Sequence, residues 1–233
     1  MKGRTQIEDV KRRYYVAIFG VGLYVVLDVI AQLLPPHYSP VTQPESDLAV
    51  GKYGYIMTVN FLIRGLLSLE FLLALSGTAR LVSGGLSPYK SGMYLLGAWA
   101  VGAFVLAAFP TDVPPTPVSW HGAIHLLAAV IAFLGGGIGA VVVSIRMGKS
   151  AELEGVRRIA LPLGALAFAL CMVELFASGF SPRLAADYGG LVERLFLGSV
   201  LLWMAVVSAL MLRRKPWETT TSEAQVAGAQ AKL

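Results

Sequence analysis

Lys11-Arg12-Arg13, followed by Tyr14-Tyr15-Val16-Ala17-Ile18-Phe19-Gly20-Val21-Gly22-Leu23-Tyr24-Val25-Val26-Leu27-Asp28-Val29-Ile30-Ala31-Gln32-Leu33-Leu34, sets three cations against an apolar run whose one charge is Asp28. At 1.5 Å per residue this run crosses about 30 Å of hydrocarbon. It is longer than the apolar core of a secretory signal, about 7–15 residues, and lacks a convincing small-x-small cleavage site, so a retained first transmembrane helix is expected.

Five further runs of the same kind follow at 55–76, 91–109, 119–145, 158–178 and 190–212, separated by Pro/Gly-rich or charged segments. Only helices and closed barrels satisfy their backbone groups in lipid, and these runs lack the alternation of a barrel strand. An all-α polytopic membrane protein, a bundle of six transmembrane helices, is therefore expected. The 233 residues are 56% hydrophobic and 14% charged, against about 25% charged in a soluble domain. Six helices with short connections leave no room for a further soluble domain. The organisation expected is a basic N-terminus over 1–13, a membrane domain over 14–212 and a disordered tail over 213–233.

The net charge of +5 does not imply nucleic acid, because the basic residues sit at the ends of apolar runs. One set of segments holds Lys2, Arg4, Lys11, Arg12, Arg13, Arg80, Lys90, Arg146, Lys149, Arg157, Arg158, Arg213, Arg214 and Lys215, and the opposite set only Lys52, Arg183 and Arg194. By the positive-inside rule the first set, with both termini, faces the cytoplasm. The outer loops are then 35–54, 110–118 and 179–189, the first long enough to suggest a functional or lid-like role beyond that of a tether. No internal repeat of the kind found in many secondary transporters is visible. Cys171, the single cysteine, is expected to be an inert packing residue.

Ionisable groups within a membrane are functional candidates. Asp28, Arg64 and Glu174 fall about 9, 12 and 6 Å from the outer helix ends at about 1.5 Å per residue. Asn60 and Arg64, four apart, share a helix face and could meet Asp28 or Glu174, either around a binding cavity or as an ion pair that fixes helix register. Glu70 lies on another face, with no partner evident in the sequence. At the outer surface Asp112 precedes Trp120-His121-Gly122-Ala123-Ile124-His125. His121 and His125 at i and i+4 could give two imidazoles to one metal, zinc being the natural candidate, with Asp112 as third ligand; no glutamate stands between them to make a metalloprotease motif. Asp112 also fits a role in capping or orienting the following helix. Adjacent Glu193 and Arg194 diverge by about 100°, so one could join the polar cluster while the other snorkels to phosphate. Gly135 and Gly139 have a GxxxG spacing suited to close helix packing within the bundle.

The stretches Glu45-Ser46-Asp47-Leu48-Ala49-Val50-Gly51-Lys52-Tyr53-Gly54-Tyr55-Ile56-Met57, Phe109-Pro110-Thr111-Asp112, Gly122-Ala123-Ile124-His125 and Gly190-Leu191-Val192-Glu193-Arg194 together resemble the prokaryotic membrane family of domain of unknown function 998. The resemblance runs from Tyr14 to Leu212. It implies a multi-pass protein of a prokaryotic cytoplasmic membrane and draws emphasis to Ser46, Asp47, Asp112, His125, Glu193 and Arg194, without implying an activity. Three functions fit. In a membrane-embedded lipid hydrolase, Asp112 and His125 would act as acid/base groups or metal ligands, with Ser46 as auxiliary donor. In a lipid- or small-molecule-binding protein or permease, Asp28, Arg64 and Glu174 would line a cavity, with Asp47, Asn60, Glu193 and Arg194 beside it. In a structural partner, the cluster would only hold the loops.

Overall fold

The computed structural model describes residues 2–113 and 115–218. Among them are six long helices and no strand: α1 (Lys2–Gln32), α2 (Gly54–Ser83), α3 (Lys90–Ala108), α4 (Trp120–Met147), α5 (Glu154–Phe180) and α6 (Pro182–Arg214). Each is long and apolar enough to cross a membrane. Each packs on its neighbour in the chain, and α6 returns against α1 to close the ring.

α2, α4 and α6 each turn a buried face into the ring. Phe196, Val200, Trp203 and Val207 of α6 are fully buried, at the three- and four-residue steps that keep one helical face inward. Trp203 stacks edge-on against Phe71 of α2 at 5.3 Å and donates its indole N–H to Ser144 of α4 at 3.0 Å. Trp99 of α3 donates likewise to Ser68 of α2 at 3.1 Å. Indole is suited to such positions because its ring fills volume while its one polar atom finds a partner. The outward faces are apolar as well: Phe19 is 71% exposed and Leu66 57%. Apolar outside and apolar inside is the pattern of a bundle solvated by lipid.

The GxxxG pair packs within the bundle, as expected. A Cβ on Gly135 would lie 2.5 Å from the Leu95 carbonyl oxygen, and Gly139 abuts Leu96, both on α3. Buried Cys171 donates its thiol to the Phe133 carbonyl at 3.3 Å and packs against Gly137, so it is a packing residue.

Several helix ends differ from expectation. The third outer loop expected over 179–189 is helical: α5 runs to Phe180 and α6 starts at Pro182. Ser181 caps α6 by accepting the Leu184 N–H at 3.2 Å, and proline at the first helical position forfeits an N–H that has no helical partner anyway. The basic N-terminus continues α1 from Lys2, with Lys11–Glu8, Arg12–Asp9 and Arg13–Asp9 pairs at 2.8–2.9 Å along its surface. Glu70 does have a partner, Arg13 on α1 at 2.9 Å; the helices bring together groups that the sequence separates by 57 positions. The expected tail begins later than 213, because α6 reaches Arg214 and Trp217 is buried. Residues 219–233 of that tail lie outside the described residues.

Candidate functional site

At one end of the bundle, the loop after α1 folds back onto α6 and dips a carboxylate into the core. Pro35-Pro36 is a cis peptide, and a short 3-10 turn occupies Glu45–Ala49. Arg194 grips the loop backbone: its Nη1 donates to the carbonyls of Pro40 and Gln43, each at 3.1 Å, and Nη2 donates to the Tyr38 hydroxyl. The Tyr38 hydroxyl in turn lies 2.7 Å from the carbonyls of Gln43 and Pro44, and Leu191 N–H donates to Val41 O at 2.9 Å. Such close docking requires glycine on α6, since a Cβ on Gly190 would sit 2.1 Å from the Gln43 oxygen. Arg194 therefore holds the loop and does not snorkel to phosphate.

Glu45, 2% exposed, is the tip of this insertion. Its backbone N–H donates to Glu193 at 2.9 Å, and the Tyr24 hydroxyl donates to its carboxyl group, 2.7 Å from both oxygens. Burial, then the neighbouring Asp28 and Glu193 carboxyls, hold Glu45 well above the usual carboxylate range. Asp28 faces Glu45 and accepts from Gln32. Two carboxyls held near one another disfavour carrying like charges together, which is part of what holds Glu45 up. Asp28 thus belongs under the loop and not beside Arg64, contrary to the expected grouping. Asn60 reaches the same layer, donating to the Tyr24 carbonyl at 3.1 Å.

Beside the inserted loop lies a cavity of about 490 Å³. Its roof is the 42–47 segment with Ser46 and Asp47, and its walls come from α2 to α6. Phe61, Leu106, Leu126, Ala129 and Phe133 supply apolar surface; Arg64, Asp112, His125, Glu174 and Glu193 supply polar groups. A second cavity of about 260 Å³, under the start of the loop, shares Asp47 with the first. Burial pushes the Asp47 carboxyl up to about 6, against the opposing pull of Arg194.

Arg64 is 1% exposed. Its guanidinium carbon lies 4.7 Å from the Trp99 ring centre and 5.4 Å from that of Phe61, so aromatic faces supply part of what water would. Nε and Nη2 have no hydrogen-bond partner, and among the described residues no carboxylate lies within 4.0 Å, although Glu174 and Glu193 line the same cavity. A buried cation without ion pair or hydrogen bonds is costly. The expected Arg64–Glu174 ion pair is not made.

The Asp112–His121–His125 set is arranged for structure. Asp112 accepts from Ser119 N–H at 2.6 Å and from its hydroxyl at 3.0 Å, while the Ser119 hydroxyl oxygen caps α4 by accepting from Gly122 N–H at 3.1 Å. Those donors hold the Asp112 carboxyl below the usual carboxylate range, as expected of an aspartate that orients a helix start. His125 Nδ1 lies 2.7 Å from Phe109 O, and His121 Nδ1 3.2 Å from Pro110 O. A carbonyl can only accept, so each Nδ1 carries the proton. The residues do not fit the zinc ion that the spacing suggested: Asp112 is committed to Ser119, and among the described residues no three His, Cys, Asp or Glu side chains are placed to hold a metal.

The sequence singled out Arg64, Glu174, Glu193, Asp47, Ser46, Asp112 and His125, and the structure brings all seven to one cavity. Glu45, Tyr24 and Tyr38 were missed. Glu45 heads a family-like stretch, but a glutamate in a polar loop gives no sign that it will be buried. No curated protein and no solved structure matches the chain. The model of the family described as protein of unknown function (DUF998) matches residues 18–210, a span that reaches into all six helices and contains every residue lining the cavity; the chain belongs to that family.

Proposed function

We propose that this is a ligand-binding membrane protein whose cavity, on the outer side of a cytoplasmic membrane with both termini inside, takes an amphiphile through an anionic group. The unpartnered Arg64 guanidinium carries this reading. It stands in a cavity with room for a head group and with apolar walls for a chain, and a phosphate or carboxylate there would receive the charge-assisted hydrogen bonds that no protein group supplies. The opposite end of the bundle is filled by Met147, Leu153, Met211 and Trp217, all buried, which favours binding over passage through the bundle. The orientation rests on the charge of the connecting segments.

The test is titration of detergent-purified protein with short-chain phospholipids, read by tryptophan fluorescence, because Trp99 lies against Arg64. Arg64→Gln is expected to lose binding by about 100-fold, the scale of a charge-assisted bidentate contact. Wild-type binding by that variant overturns the reading.

Lipid hydrolysis has one observation in its favour: with Nδ1 donating to Phe109 O, His125 keeps Nε2 as its basic nitrogen in a cavity that also holds Ser46. Against it, Asp112 is committed to Ser119 and does not orient the imidazole, and Ser46 makes no hydrogen bond to His125 among the described residues. A lipid profile unchanged by combined His125→Ala and Asp112→Ala substitution removes hydrolysis and leaves binding.

A further inference from the structure

Arg64 is one of several unpaired charges around the cavity. The Glu174 carboxyl, on the apolar stretch of α5, has no hydrogen bond or ion pair among the described residues, and neither does the Asp47 carboxyl at the roof. Glu193 receives only the Glu45 N–H. Glu174 and Glu193 are close enough to repel one another, and Glu193 is an electrostatic neighbour of Arg64 as well.

Charges that served only to hold helices together would be in contact, as Arg13 and Glu70 are at 2.9 Å. Around the cavity, one cation and three of the four lining carboxylates are instead kept beyond 4.0 Å of each other's opposite charge, the fourth, Asp112, being bonded to Ser119, with about 490 Å³ of space between the walls. A purely anionic ligand drawn to Arg64 would meet Glu174, Glu193 and Asp47. A purely cationic ligand would meet the Arg64 guanidinium. A ligand carrying both signs satisfies both sides, since each wall stabilises one end and the Glu174 and Glu193 carboxyls gain a counter-ion.

We infer that the cavity recognises a zwitterionic group, an ammonium together with a phosphate or carboxylate: Arg64 takes the anion, and Glu174 with Glu193 takes the ammonium. The inference rests on the reading of the cavity as a ligand site. Such a group occurs on amino-phospholipids and on water-soluble amino compounds, and the apolar walls at Phe61, Leu126 and Phe133 add contact for a lipid chain in the first case.

The experiment compares three probes on the detergent-purified full chain: dihexanoylphosphatidylethanolamine, dihexanoylphosphatidylglycerol, which keeps the chains and phosphate but lacks the ammonium, and phosphoethanolamine, which lacks the chains. Wild type is expected to bind the ethanolamine lipid at least about tenfold more tightly than the glycerol lipid, the scale of one charge contact. Glu174→Gln, which keeps the shape and removes the charge, is expected to erase that preference, by weakening the ethanolamine lipid and by relieving the repulsion that Glu174 exerts on the glycerol lipid. Equal or tighter binding of the glycerol lipid by wild type overturns the inference, as does a preference that survives Glu174→Gln. Phosphoethanolamine binding as tightly as the lipid, with the same dependence on Glu174, supports the inference and assigns the zwitterion to a soluble source. Arg64→Gln separates the two levels: loss of both lipids with the preference absent in wild type sinks only the zwitterion, whereas both lipids binding that variant normally sinks the ligand site itself. Arg64→Lys, which keeps the charge but not the fork, serves if the glutamine variant does not fold, and is expected to weaken both lipids.

Discussion

Two arginines within the bundle have opposite circumstances. Arg13 of α1 lies at the basic end, partly exposed, and meets Asp9 at 2.8 Å and Glu70 at 2.9 Å. Arg64 of α2, six positions before Glu70, is 1% exposed and has no carboxylate within 4.0 Å among the described residues. The less buried cation has two partners and the more buried one has none, the reverse of what stability alone would select. The basic end thus uses its charges to join helices, whereas the loop end holds a buried cation that no protein carboxylate pairs, the observation on which the proposed ligand site rests.

The sharpest way to break this comparison is to neutralise each arginine site in turn. Arg64→Gln is expected to reduce phospholipid binding by about 100-fold with little loss of thermal stability, because the removed charge had no partner to leave behind. If its melting temperature falls as far as its affinity, Arg64 is a structural residue. Next in size is Glu45→Ala, which strands the buried Tyr24 hydroxyl and removes the side chain that anchors the loop tip to α1, while the backbone N–H to Glu193 is kept. A loss of about 2 kcal/mol is expected for an orphaned buried partner, seen in denaturant unfolding, with faster proteolysis between residues 35 and 53.

A smaller effect is expected at Asp47, whose carboxyl titrates near 6 in the folded chain against a usual value of 3.8. Because the folded state holds this proton more tightly, ionised Asp47 opposes folding, and stability falls as pH rises from about 4 to about 6. Asp47→Asn should therefore melt higher than wild type above pH 6, by about 1 kcal/mol allowing for solvent screening at this partly exposed site, and identically below pH 4. A difference that persists at pH 4 would mean that packing or hydrogen bonding, and not charge, is responsible. Smallest is Glu70→Gln: a half-exposed pair contributes about 0.5 kcal/mol, so a slight loss of stability and unaltered phospholipid binding are expected. Altered binding there would couple the two ends and dissolve the contrast between them.

The architecture was legible because hydropathy is a property of composition over about 20 residues, and no knowledge of neighbours is needed to see that 119–145 must cross lipid. The candidate groups were legible for a related reason: Arg64 and Glu174 stand out because ionisable residues are rare in such runs. Their relations were not. The helix extension through Asp187 and Tyr188 looked like loop because its polar residues lower the hydropathy, while the Ser181 cap and Pro182 that define its start are local features that pointed the other way.

By itself, then, the sequence determined six spans, their order, the charge asymmetry of their ends, and a shortlist of polar groups near one of those ends. Only the tertiary structure decided which of those groups meet: Asp28 with Glu45, Glu70 with Arg13, Asp112 with Ser119, and Arg64 with none of them. Pairing across helices depends on the rotation of each helix about its axis and on the depth to which the loop inserts. These are fixed by the whole of the packing, including the close approach at Gly190 that seats the loop, and no single segment encodes them.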